Sequence, residues 1–182
     1  MGPMPRKIVT ALLLAVLYVI PPVEASPAIP KALAALKADP APKPVPSATF
    51  VDAEGHPVPL SRFKGHVVIL NMWATWCAPC VAELPAVAKL AGALGPGKVT
   101  LVAVSASRDD AAKTAAFLKA HGAGNLAVYR DPDLSFLTAF GAQGLPFSVV
   151  IDGRGREIAR ASGPMKWDDP AAEAYFRSLG GR

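Results

Sequence analysis

The chain has 182 residues, 52% of them apolar and 18% charged, with a formal net charge of +5. This length suits one domain plus an extra segment, and the apolar share excludes a chain disordered by composition, although alanine supplies much of it. The basic residues are scattered, without a Lys/Arg run or aromatics spaced for base stacking, which argues against nucleic-acid binding.

Arg6 and Lys7 precede Ile8–Ile20, a run interrupted only by Thr10 and Tyr18. Pro21 and Pro22 break it, and Val23-Glu24-Ala25 offers a cleavage point after Ala25. That is the layout of a secretory signal. Such a run spans about 20 Å as a helix, short of the roughly 30 Å of a bilayer core. Residues 1–25 are therefore expected to be a signal peptide, with cleavage favoured, or an uncleaved membrane anchor if Tyr18 and Val23 extend the apolar stretch. Either one delivers the domain outside the cytoplasm. Residues 26–46 carry six prolines and are predicted to be an extended, semi-rigid linker that cannot join a sheet ladder.

The folded domain is predicted over residues 47–182. Ala48–Val51 and Val58–Leu60 flank a turn at Asp52–Gly55, the pattern of an N-terminal β-hairpin extension. His66–Trp73 is apolar apart from His66 and Asn71 and reads as a strand buried on both faces. Apolar residues at three- and four-residue spacing make 78–94 a helix, and 99–104 is again a buried strand. A helix over 109–121, a short strand over 126–129 and a short helix over 134–140 follow. Strands at 147–151 and 156–161 flank Asp152-Gly153-Arg154-Gly155, and a helix over 168–179 ends the chain. The economical solution is an α/β fold, a central mixed β-sheet flanked by helices.

The two cysteines stand in Trp76-Cys77-Ala78-Pro79-Cys80, where the buried strand gives way to the helix. At that helix end, unpaired N–H groups and the positive end of the dipole favour a thiolate on Cys77, and the thiolate is the nucleophile in disulfide exchange. Cys80, one turn on, is in reach to resolve a mixed disulfide. A structural staple is a weaker reading, because closing a two-residue gap removes little chain entropy. A zinc site lacks ligands, since His56, His66 and His121 are unpaired in spacing and no second Cys pair exists. A copper(I) site made by the two sulfurs remains the contrasting reading; its third ligand would be a His or Met, and the Met165 segment is not expected near the dithiol.

The stretch Asn71–Pro85 resembles the active-site segment of TlpA-like thiol–disulfide oxidoreductases, a branch of the thioredoxin superfamily, with Met72 where that branch prefers Phe. Gly144-Leu145-Pro146 before a strand is similar to its cis-proline segment. The likeness runs from about residue 46 to the end. It implies a thioredoxin-like fold, a redox-active Cys77–Cys80 disulfide, and Pro146 as a cis proline packed against it. Leu145 would offer its backbone to an extended substrate, and Trp76 would cover one side of the dithiol. Thioredoxin's buried proton-accepting Asp falls on Asn71 here, which cannot titrate. Glu83, three residues after Cys80 and on a similar helix face, is the candidate replacement if partly buried; the plainer reading is a solvated helix glutamate.

The resemblance further implies a periplasmic or membrane-facing reductase of protein disulfides, without metal or other cofactor, acting as a monomer. Its partners would be protein thiols and disulfides, with a membrane thiol transporter as electron donor. Substrates would lie among apocytochromes c or copper-centre assembly factors. Phe147 after the cis proline departs from the acidic residue of the cytochrome-maturation branch. A thiol oxidase is the alternative within redox chemistry, although Ala78-Pro79 lacks the His that stabilises a strongly oxidising thiolate.

Overall fold

A computed structural model describes Gly2 and residues 27–181. The signal or anchor expected over 1–25 lies outside the described residues. No helix among the described residues is long and apolar enough to cross a membrane. Eight strands form one mixed sheet in the order β1-β8-β7-β4-β5-β6-β2-β3. They span β1 Leu36–Pro44, β2 Thr49–Val51, β3 Pro57–Pro59, β4 Val67–Trp73, β5 Val99–Ser105, β6 Tyr129–Arg130, β7 Phe147–Ile151 and β8 Arg156–Ser162. Helices α1 Ala78–Leu94, α2 Ala111–Ala120, α3 Ser135–Ala139 and α4 Pro170–Leu179 cover it, with 3-10 turns at Lys31–Leu33 and Leu60–Phe63.

Strand β4 sits between parallel β5 and antiparallel β7, and all seven of its residues are buried. Successive side chains of a strand point to opposite faces. Val67, Ile69 and Trp73 accordingly join one core with Leu84, Val87, Phe176 and Leu179 of α1 and α4. Val68, Leu70 and Met72 join the other with Phe50, Phe136 and Phe140. Each large apolar side chain removed from water contributes about 1.5–3 kcal/mol before entropy is counted. The same alternation places Asn71 on the α1 face, and the register Asn71↔Ser148 puts Ser148 of β7 beside it.

The N-terminal hairpin forms as predicted, with Thr49–Val51 paired to Pro57–Pro59. Residues 36–44, read from sequence as linker, instead pair with β8 as the edge of the sheet. The prolines are accommodated because Pro44 lies on an edge strand and Pro40 and Pro42 fall within a bulge between Ala38 and Lys43. Leu33 and Leu36, 0% and 2% exposed, tie this stretch to the α1–α4 core. The strand expected over 126–129 reduces to Tyr129–Arg130, since β6 pairs with β5 only at Val104↔Tyr129 and Ser105↔Arg130. Upstream, Leu126 is held in a turn by its N–H to Ala123 O.

Candidate active site

Helix α1 begins where β4 ends, and Cys77 is its N-cap with extended backbone angles. Its Sγ accepts the Cys80 N–H at 3.3 Å, so one of the unpaired amides of the helix start is aimed at sulfur. Pro79 in the first turn costs nothing, because its missing N–H would have had no helical partner. Cys77 and Cys80 form a disulfide with Cα atoms 5.3 Å apart. Cys80 is fully buried and Cys77 is 5% exposed. With Ala78 and Pro79 exposed beside it, Cys77 is the sulfur nearer to solvent. No acidic residue stands in the first turn of α1 to oppose a negative sulfur there.

Trp76, the residue before the pair, is 69% exposed, the one large apolar side chain among the described residues left open to solvent. It is therefore not a core aromatic. The loop beneath it is pinned: Thr75 Oγ1 donates to Asp109 Oδ2 at 2.8 Å, and Ser107 Oγ donates to the same oxygen at 3.1 Å. Sequence reasoning missed Asp109 as a site residue, since nothing in its spacing ties it to the cysteines.

The Leu145–Pro146 peptide bond is cis, as the resemblance implied. The register Met72↔Phe147 brings Pro146 to the end of the sheet that carries the Cys77 loop. Pro146 O accepts the N–H of Gly163, whose φ of +103° is the kind of backbone that favours glycine. From Gly163 the chain turns inward, and Met165 N–H donates to Glu83 Oε2 at 3.2 Å. The Met165 segment is thus part of the site, contrary to the sequence expectation; a contact across 82 positions leaves no trace in local pattern.

Glu83, one turn below Cys80 on α1, is 7% exposed and not a solvated helix glutamate. Asn71 Nδ2 donates to its Oε1 at 3.4 Å and to Ser148 Oγ at 3.2 Å. The Trp167 indole N–H faces the carboxylate without meeting hydrogen-bond geometry. Burial pushes the Glu83 carboxyl above the ordinary glutamate value, and the nearby Trp167 N–H together with the hydrogen bonds from Met165 and Asn71 offsets only part of this. Asn71 Oδ1 is buried without a partner. A half-turn of that amide exchanges donor for acceptor, so Asn71 can serve Glu83 either ionised or protonated.

The metal-capable residues lie elsewhere. Among the described residues, Asp52, Glu54 and His56 form such a group on the exposed β2–β3 turn, where Asp52 already accepts the His56 N–H. His66 precedes β4 at the far end of the sheet, and His121 stacks on Phe117 at the end of α2. A cavity of about 350 Å³ between Pro44–Thr49, Pro59–Lys64 and Asp152–Gly155 also lies at the sheet end away from the cysteines, so it is not the dithiol site.

A disulfide at the start of the helix that follows the central strand, with a cis-proline loop at the same end of the sheet, defines a thiol–disulfide oxidoreductase of thioredoxin fold. Residues 40–176 match the Redoxin family, and the chain belongs to it. It is similar to the thiol-disulfide oxidoreductase ResA of Bacillus thuringiensis subsp. konkukian, 32% identical over 137 residues, covering 75% of this chain and 77% of that one. ResA of Bacillus subtilis is also 32% identical, over 120 residues and 66% of each chain. Among solved structures, a thiol:disulfide interchange protein of the thioredoxin family from Chlorobium tepidum superposes with a TM-score of 0.64 at 26% identity. That likeness covers 79% of this chain and all of the other.

Proposed function

We propose that the protein is an exported reductase of disulfides in partner proteins. Its nucleophile is Cys77, its resolving thiol Cys80 and its proton acceptor Glu83. The observation that carries this reading is the buried carboxyl of Glu83, held by Asn71 and Met165 one turn below a buried Cys80. In the reduced protein the Cys77 thiolate attacks one sulfur of a substrate disulfide. That forms a mixed disulfide and releases the first substrate thiolate. Cys80 gives its proton to the Glu83 carboxylate, attacks Cys77 sulfur, and expels the second substrate thiolate. The substrate gains two electrons and leaves as two thiolates, which take up one proton released again by Glu83 and one from water, and the pair ends as the disulfide seen here.

Trp76 and the Leu145–Pro146 edge are the substrate-binding surface in this reading, since both border the pair at one sheet end and Trp76 is open to solvent. Leu145 would pair its backbone with an extended segment by strand addition. The substrates are proposed to be apocytochrome c or copper-centre assembly factors, met in the periplasm, with a membrane thiol transporter restoring the dithiol. The support for these substrates is the likeness of Asn71–Pro85 to TlpA-like oxidoreductases, while the ResA relatives support thiol–disulfide exchange itself. Equilibration of the Cys77–Cys80 pair in redox buffers, read by trapping free thiols, tests the direction. A potential below about −200 mV is expected; a value near −120 mV would make the protein an oxidase.

A further inference from the structure

We propose that the segment Pro30–Leu36 is a positioning element of the redox site, bracing the Gly163–Trp167 loop that holds the Glu83 carboxylate. The proposal rests on the reading of Glu83 as proton acceptor. Two successive residues of that loop point in opposite directions for hydrogen bonding. Met165 N–H donates inward to Glu83 Oε2 at 3.2 Å, while Lys166 N–H donates to Ala32 O at 3.1 Å. The bracing segment is itself fixed: Leu33 and Leu36 are buried in the core cluster that includes Cys77, Cys80, Met165 and Trp167, and Leu36 pairs with Ala161.

Chain far upstream of the cysteines therefore closes the outer side of the shell around the carboxylate. Cys80 stands one turn before Glu83 on the same helix, and the groups that meet the carboxylate are Asn71 from β4, with Ser148 of β7 behind it, and the Met165 amide and Trp167 indole from the loop. No charged side chain among the described residues forms an ion pair with it, so the exclusion of water sets its proton affinity. Loosening the brace admits water and lets the carboxylate titrate nearer the ordinary glutamate range.

The test uses the full chain carrying carbon-13 glutamate, as wild type, Leu33→Val, Leu33→Ala and Val58→Ala. Val58→Ala makes a cavity in the other core, away from the brace. Glu83 is titrated through its carboxyl carbon. The pH–rate profile of glutathione release from a Cys77 mixed disulfide is measured in parallel, with and without Glu83→Gln. The expected result is a midpoint that falls in Leu33→Val and further in Leu33→Ala, by about half a pH unit or more, equivalent to roughly threefold in proton affinity. The acid limb of the rate profile moves with it, and Leu33→Ala moves nothing in the Glu83→Gln background. An unmoved midpoint in folded Leu33→Val, or an equal shift in Val58→Ala, overturns the brace. If Glu83→Gln leaves the profile unchanged while the midpoint still falls in Leu33→Ala, the proton-acceptor reading fails instead.

Discussion

Glu83 is a carboxyl whose folded-state proton affinity is raised, chiefly by burial. Between the ordinary glutamate value of 4.5 and the raised one, the folded chain holds a proton that the unfolded chain has lost. Stability contributed by the neutral form is thus present below pH 4.5 and is lost as pH rises through that window. Glu83→Gln is expected to flatten this fall in urea unfolding measured from pH 4 upward. Buried Asp131 has the same sign, because burial raises it despite the Phe136 and Leu137 amides, and the variant keeps that part of the slope. In exchange kinetics the same substitution is expected to slow resolution by Cys80 on the order of 10²-fold while leaving alkylation of Cys77 near its original rate. Asp109→Asn removes a charged acceptor shared by Thr75 and Ser107. A loss of about 1.5–3 kcal/mol is expected on thermal or urea unfolding, with the loop bearing Trp76 exchanging its amides faster.

The elements that meet at the site were legible in unequal measure. Helix α1 and strands β4, β5 and β7 announce themselves through continuous apolar runs, helical spacing and turn residues, and they form close to where those signals place them. Strand β1 does not, because its sequence is dominated by proline and exposed side chains, and only the free edge of β8 turns it into a strand. The loop after β8 is as silent locally, yet it links the cis-proline carbonyl through Gly163 to Glu83 through Met165. Gly163→Ala is expected to cost about 1–3 kcal/mol, since a side chain at φ +103° is strained. Its distinguishing mark would be a changed pH–rate profile, measured against a variant of equal stability elsewhere.

Across the whole molecule the sheet divides the protein into two cores, and the dithiol, the cis-proline loop and Glu83 gather at one end of it. The N-terminal stretch reaches that same end, because Leu36 pairs with Ala161 near the close of β8. Removing residues 27–44 would expose the β8 edge and strip Leu33 and Leu36 from the core. The expected loss is about 3–6 kcal/mol in urea unfolding, with aggregation through the freed edge detectable by light scattering. An unchanged midpoint would show that β1 is an ornament of the fold rather than part of it.

What the chain's linear order determined was the chemistry and its frame: two cysteines at a strand-to-helix junction, a glutamate one turn on, and a proline before a later strand. These are local facts, carried by periodicity and by neighbours within one helical turn. The tertiary structure decided which groups surround that chemistry. Asn71 and Met165 reach Glu83 across 12 and 82 positions, Ser148 backs Asn71 across 77, Asp109 reaches Thr75 across 34, and Ala32 supports Lys166 from the other end of the chain. The physical reason is that dehydration and hydrogen-bond supply, which set the behaviour of a buried carboxyl, depend on what packs against it in space. Spacing in sequence can place Glu83 on a helix face, but only the packed loop and its brace keep water away from it.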